Sequence, residues 1–373
     1  MFYTFPKIEN IDDVLPHVEG RKEFIVAERD FGTVINYVVA TPETFEMKTS
    51  ILSGSIRREC RGIIFDKMGA LISRPFHKFF NIGEREETFP VMLDFTRAHM
   101  ILEKADGSMV RPLLIGGNVV LGTKMGITDI GTEASKILTD DQSIWLRDMV
   151  LRGKTPIMEY VAPSNKIVVQ YDQPRLILLA IRDTVSGNYE ELPIVCPIEV
   201  IHSYGSMDLD LALYLEKTRK EEGREGDIIR WHSGHMVKNK NNWYVRIHKV
   251  KDKIRFERNI CDIIINEQLD DLLPILDEVD RKTVLDFQER FNDYLSHTLH
   301  RLEQNRIQAE DIYGGDRKRV ALEMIPNLKH REDSVYIFAA LDGKDIRNML
   351  IKNIRTAVTN TTRYDKLMDW ISK

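Results

Sequence analysis

Over roughly the first 250 residues, apolar and β-branched positions cluster in brief runs closed by Gly, Asn, Asp or Pro, the signature of short strands. Such runs are TVINYVVA at 33–40, GIIF at 62–65, VVLGTK at 119–124, KIVVQY at 166–171 and RLILLAI at 175–181. The string RPLLIGGNVVLGTK predicts a hairpin turning at Gly116-Gly117, a dipeptide that tolerates the positive φ of a tight turn. Helices are expected between strands, around DDQSIWLRDMVLRG and MDLDLALYLEKTRK. Beyond about residue 258 the period changes. Val284, Phe287, Phe291, Tyr294, Thr298 and Leu302 fall on one face of a long helix. KRVALEMI, DSVYIFAAL, KDIRNMLIKNIRTAV and YDKLMDWI each supply a further amphipathic turn or more. The fold class is therefore α+β: an antiparallel-sheet domain over 1–255, then an all-α domain over 256–373, with no repeat or low-complexity linker at the junction.

Composition narrows the partners. A chain of 373 residues has room for two domains, each with its own core. Its 53 Lys and Arg stand against 58 Asp and Glu, a formal charge of -5, which excludes coating nucleic acid by bulk attraction and requires any basic surface to be local. One such stripe runs from Glu216 to Arg258, with 13 Lys and Arg against 7 Asp and Glu. Cys60, Cys196 and Cys261 are odd in number and free of CxxC spacing, against a disulfide framework or zinc site. With no leader-like start and no run near the ~20 apolar residues of a membrane span, a cytoplasmic protein without membrane partners is expected.

Candidate chemistry centres on MILEKADGSMV at 100–110, a strand-like run leading into Lys104-Ala105-Asp106-Gly107-Ser108. A lysine becomes a nucleophile when its amine is neutral, and Gly107 would allow backbone to approach a ligand closely. Glu159 lies inside the apolar strand of TPIMEYVAPSNKIVVQY, either on a solvated face or as an acceptor for a ribose hydroxyl or metal-bound water. Glu225-Gly226 follows. Lys238 and Lys240, two apart, share one strand face, where a phosphate chain would relieve their repulsion. Upstream, Arg57, Arg58, Arg61, Arg74 and Lys78 interleave with Phe76, Phe79 and Phe80, as phosphate grip and base stacking require; a Phe-rich stretch also suits a core.

KADG, a strand carrying Glu, then EG, then KxK, in that order, resembles the covalent nucleotidyltransferases: DNA ligases, RNA ligases and mRNA capping enzymes. ECRGIIF, SRPFHKFFN, EYVAPSNKIVVQY and VKNKNNWY narrow the resemblance to the T-even phage RNA ligase 1 family, from about Tyr37 to Tyr244 and more weakly through IINEQLDDL and GGDRKRVALEM. The resemblance implies an ATP-grasp-like ligase domain and an ATP-dependent RNA ligase that repairs broken tRNA. It implies that Lys104 carries AMP, that Tyr37 and Phe80 hold adenine and ribose, and that Arg61 and Lys78 contact the nucleotide near its phosphates and sugar. Gly107 belongs to the nucleophile loop, Glu159 to the ribose-binding strand, Glu225 with Gly226 to the next acidic motif. Lys238 and Lys240 would grip the α-phosphate beside Tyr244, and Asp270 would be a metal-associated acid. The implied cofactors are ATP and Mg2+, with Mn2+ as substitute; the implied partner is RNA with 5′-phosphate and 3′-hydroxyl ends, tRNA above all, met by a monomer in the cytoplasm of a host if the gene is a phage's.

The family's lysine just before the glycine after the hairpin strand is displaced here. Lys124 precedes Met125-Gly126, and on a strand a one-residue slip reverses the face, so Lys124 is left out of the ligand set. Two other readings stand beside the RNA ligase: a DNA ligase or capping enzyme, which would carry a β-barrel where this tail reads helical, and a non-catalytic RNA-binding protein, which would leave the ordered motif set as coincidence.

Overall fold

Three sheets account for the strand-patterned part of the chain in a computed structural model that describes residues 4–207 and 210–371. A four-stranded sheet, Phe24–Arg29, Gly32–Tyr37, Arg61–Phe65 and Leu71–Ser73, pairs in chain order. The other two build the site. Their principal strands are β1 (His99–Glu103), β2 (Ser108–Ile115), β3 (Lys154–Val161), β4 (Arg175–Asp183), β5 (Gly226–Trp231) and β6 (Met236–Lys240). One sheet runs Glu199–Val200, β4, β3, β2, Asn118–Gly122; the other runs Ser203–Gly205, β1, β5, β6, Phe80–Asn81. Pairing is antiparallel except where two short strands, Glu199–Val200 and Phe80–Asn81, join β4 and β6.

The hairpin between β2 and Asn118–Gly122 turns at Gly116 and Gly117, whose φ values of 57° and 82° are those of a primed turn. The helices Asp140–Leu151 and Leu211–Arg219 lie where their periodicity puts them, although residues 208–209 of MDLDLALYLEKTRK fall outside the described residues. KIVVQY departs from expectation, because 166–171 is loop. Its amides leave the ladder to bind a side chain: the Val168 and Val169 N–H groups both donate to Asp106 Oδ2, at 2.8 and 2.7 Å.

Charge is also spent inside this unit. Glu59, ending the helix Ile51–Glu59, accepts from Arg74 Nε at 3.1 Å and from Arg182 Nη1 and Nη2 at 2.7 and 2.8 Å, with all three side chains fully buried. Burial raises the Glu59 carboxyl, yet the two guanidiniums outweigh it and hold it far below the ordinary carboxylate range. Arg57 Nη2 donates to the Glu46 carbonyl and Arg58 to the Phe45 carbonyl and Glu87. Three of the five cations expected to face a ligand are therefore structural, because a buried guanidinium is tolerated where carbonyls and carboxylates take up its donors.

The chain divides into two units, Met1–Arg246 and Ile247–Lys373. The division falls within the helix Asn242–Ile254, earlier than residue 255, since the helical period already starts at Asn242 in a stretch that had read as strand. The second unit is helical among its described residues. Its core gathers Ile260, Ile263, Leu272, Val284, Phe287, Phe291, Leu350 and Ile354. The helix Glu278–Asp311 supplies the face expected from Val284 to Leu302.

Candidate active site

Strand register assembles the charged residues. Asp227 pairs with Glu103, and Gly226 pairs with Lys240, so the residue after β1, the residue before β5 and the last residue of β6 meet at one edge of the sheet. Lys104 N donates to the Gly226 carbonyl at 2.9 Å. Side chains follow the backbone: Lys104 Nζ lies 2.5 Å from Glu225 Oε2, and Lys240 Nζ 2.9 Å from Glu225 Oε1. One carboxylate thus bridges two lysines. Burial would raise the Glu225 carboxyl, but Lys104 and Lys240 together hold it below its ordinary value.

Gly226 makes this convergence possible. Its φ is 141°, and a Cβ there would stand 2.1 Å from the Asn239 carbonyl oxygen. Gly107 has a similar duty on the facing sheet, where a Cβ would stand 2.3 Å from the Tyr160 carbonyl oxygen. The glycine of KADG is thus needed for approach to a neighbouring strand, where approach to a ligand was expected. Its N–H donates to Glu159 Oε1 at 3.2 Å.

Glu159 is not on a solvated face. It is 9% exposed on β3, opposite Met109 of β2 and Ile177 of β4. Burial, with Glu225 and Asp106 nearby, pushes its carboxyl up to about 7 against the pull of Lys104 and Arg61. Lys238 is the converse case. Burial, with Arg61, Lys104, Lys78 and Lys240 around it, drives its ammonium well below the ordinary lysine range, and its Nζ sits 4.8 Å from the Phe79 ring centre.

These groups open on a cavity of about 540 Å³ lined by Lys104, Gly107, Glu159, Arg61, Lys238 and Lys240 together with an apolar wall. Glu225 stands behind Lys104, and Tyr244 behind Lys240, whose Nζ is 4.9 Å from the Tyr244 ring. The Tyr244 hydroxyl donates to Asp106 Oδ1 at 2.7 Å.

Five expected nucleotide contacts are not among the lining residues: Gly226 and Tyr244 stand behind them, and Tyr37, Lys78 and Phe80 lie elsewhere. Phe80 is 2% exposed in a separate core with Phe45 and Ile56, against which Tyr37 packs, and Lys78 Nζ lies 5.2 to 5.8 Å from the Tyr37, Phe45 and Phe80 rings. Phe79 lines the cavity in place of Phe80, because consecutive residues of extended chain face opposite ways. Asp270 is an exposed residue of the helix Leu269–Leu272 in the second unit. No group of three or more His, Cys, Asp or Glu residues arranged for a metal ion occurs among the described residues.

Three residues gain importance that sequence reasoning did not assign. Lys124 lines the cavity from the turn Thr123–Gly126, so strand alternation does not govern where it points. Arg230, on β5, lines the cavity floor; no motif marks it. Asp106, 1% exposed, pins the 168–169 loop and Tyr244 at once; its place in KADG was the available signal.

A family model described as RNA ligase matches residues 59–252. A putative RNA ligase of Thermovibrio ammonificans is 33% identical over 183 residues, 48% of this chain, and the match spans about half of that protein at 46%. RNA ligase 1 of bacteriophage TS2126 is 27% identical over 303 residues, 77% of this chain and 73% of that one. Among solved structures, an archaeal ATP-dependent RNA ligase aligns with 89% of this chain and 95% of its own at 13% identity, with a TM-score of 0.46. With the family model spanning 59–252 of 373 residues, just over half of its length, the chain belongs to the RNA ligase family.

Proposed function

We propose that this protein is an ATP-dependent RNA ligase that works through AMP linked to Lys104. The observation that carries the reading is the convergence of Lys104, Glu225 and Lys240 at the edge of a cavity whose other charged walls include Lys238, Arg61, Lys124, Arg230 and Glu159. Lys104 Nζ gives up its proton and attacks the α-phosphorus; a P–N bond forms as the P–O bond to pyrophosphate breaks. An RNA 5′-phosphate oxygen then displaces the lysine, forming an RNA-adenylate. The 3′-hydroxyl of a second end attacks the 5′-phosphorus, losing its proton as AMP leaves. Lys238, Lys240 and Arg61 balance the charge of phosphate oxygens, and Glu225 orients the Lys104 amine.

A divalent ion fits this cavity best when held mainly by phosphate oxygens and waters, since Glu159 and Glu103 are too few to enclose one, while a cation would relieve the crowded Glu159 carboxylate. Bound there, magnesium or manganese supplies further charge neutralisation of the phosphates. Glu159 is the residue that would hold it through water or, alternatively, accept from a ribose hydroxyl.

The reading extends to repair of broken tRNA, with the helical domain as the substrate reader, following the resemblance of the motif strings to the T-even phage enzymes. The central test is incubation with magnesium and α-labelled ATP. Label should stay with the protein through denaturation, leave under acid, and be absent from Lys104→Ala. No transfer to the unaltered protein, or undiminished transfer to Lys104→Ala, overturns the reading. Sealing of a tRNA nicked in its anticodon loop, compared with unstructured RNA of equal length, tests the tRNA extension; equal rates refute it.

A further inference from the structure

Arg230 is a buried cation whose side-chain hydrogen-bond acceptors among the described residues are weak. It is 5% exposed, on β5, and carries five donors and no acceptor. Its contacts are long or soft: Nη1 lies 3.5 Å from the Leu179 carbonyl oxygen, and Nη2 lies 3.2 Å from Met100 Sδ. The other deeply buried arginines are engaged differently. Arg74 and Arg182 grip Glu59, and Arg111 donates to Ser73 Oγ and to the Thr123 and Gly62 carbonyls. Burial lowers the Arg230 guanidinium from its ordinary range. A buried donor set of this kind is costly unless an acceptor reaches it.

Its neighbour is also irregular. The pairing of β4 with β3 steps from Leu178 opposite Met158 to Ala180 opposite Ile157, leaving Leu179 as a bulge without a partner in that strand. Bulges of this kind re-aim groups beside functional sites. Leu179 and Arg230 both line the cavity, and the Leu179 carbonyl oxygen lies beside the Arg230 guanidinium.

Position along the strands says what could reach them. Lys240, Lys238 and Met236 follow one another on the cavity face of β6, and Met236 is opposite Arg230. At about 3.4 Å per residue, Lys240 and Met236 are roughly 13 Å apart, comparable to the length of a nucleoside monophosphate. With phosphate at the lysine end, the base arrives at Arg230 between Leu179 and Ile228.

We propose that Arg230 and the Leu179 carbonyl read the edge of the adenine base. Arg230 donates to the ring nitrogen beside the amino group, N1 or N7, and the carbonyl accepts from the amino group itself. Adenine offers that acceptor and donor pair on both edges. Guanine places an oxygen against the Leu179 carbonyl and, on one edge, an N–H against Arg230. The inference rests on the cavity being the ATP site.

The test is the rate of Lys104 labelling by the full-length protein with ATP, 1-deaza-ATP, 7-deaza-ATP and GTP, at limiting and saturating nucleotide. In the unaltered protein, GTP and one deaza analogue should lose roughly ten- to a hundredfold in efficiency, the worth of a hydrogen bond to a charged donor. The loss should lie in KM. In Arg230→Met, ATP should fall to the level of that analogue, whose own efficiency should not change further; Arg230→Lys should restore part of the difference. Both deaza analogues reacting like ATP, or a penalty that persists in Arg230→Met, overturns the inference. If Arg230→Met fails to fold, the unaltered protein and Arg230→Lys decide it by the same comparison. Absence of label from every nucleotide would instead refute the ATP reading, whereas labelling by ATP with indifference to all analogues removes only the role of Arg230.

Discussion

Lys238 and Glu159 are held in opposite senses by the same crowding, and each gives the free protein a measurable pH signature. Burial and surrounding cations disfavour the Lys238 ammonium, so the folded protein binds fewer protons there than the unfolded chain. Its contribution to stability is complete above the ordinary lysine range and is lost as pH falls towards the depressed value. A phosphate beside it reverses the preference. Nucleotide binding should therefore take up protons, seen as a buffer-dependent heat in titration calorimetry, and Lys238→Met should abolish that uptake. Glu159 has the opposite sign. Its carboxyl, raised from 4.5 to about 7, favours folding below about 4.5, and that contribution is lost as pH rises through 7. Glu159→Gln should accordingly gain stability relative to the unaltered chain between pH 5 and pH 8 in urea titrations. A difference independent of pH would mean that Glu159 ionises freely.

At the level of elements, the site depends on two close approaches and one clamp. Gly226→Ala would drive a Cβ into the Asn239 carbonyl at a φ that side chains rarely adopt, parting β5 from β6 where Glu225 meets Lys240. A loss of about 2 kcal/mol or more in stability is expected in denaturant unfolding, with slower labelling of Lys104 under conditions where the variant is still folded. Asp106→Ala removes the acceptor shared by Val168, Val169 and Tyr244. Amide exchange at 168 and 169 should then rise well before the sheets open. The same elements explain what could be read from the chain beforehand. Hairpin chemistry at Gly116-Gly117 and the helical face from Val284 to Leu302 are local patterns, and both are where they were expected. KIVVQY has a strand's composition, but Asp106, some sixty residues away, takes its amides; no local pattern contains that partner. Phe79 lines the cavity while Phe80 packs in the separate core, and in extended chain one residue is the whole difference between the two. The order KADG, Glu, EG, KxK marked Lys104, Glu225 and Lys240 at strand ends and Glu159 and Lys238 within strands, whereas Arg230 belongs to no motif and shows its importance through the weakness of its partners.

Across the whole molecule, a net charge of -5 conceals how the cations are divided. Some, such as Lys238, Lys240 and Arg61, line the cavity, while Arg74 and Arg182 are fully buried about one carboxylate. That triad joins the end of the helix Ile51–Glu59 to β4 and, through the carbonyls of Pro6, Pro75, Val185 and Gly187, to three further stretches of the first unit. Removing the carboxylate leaves two guanidiniums buried and uncompensated, which costs far more than the triad contributes in comparison with a well-packed apolar replacement. Glu59→Ala should therefore lose about 3–5 kcal/mol, whereas a triple change of Glu59, Arg74 and Arg182 to apolar residues of similar volume should lose much less. The helical unit has a separate core around Phe287 and Phe291. Unfolding of Glu59→Ala should consequently begin in the sheets, followed by Trp231 fluorescence, while the helical circular dichroism signal persists to higher denaturant. A single coincident transition, or equal losses for the single and triple variants, would show that the triad is not what holds the first unit together.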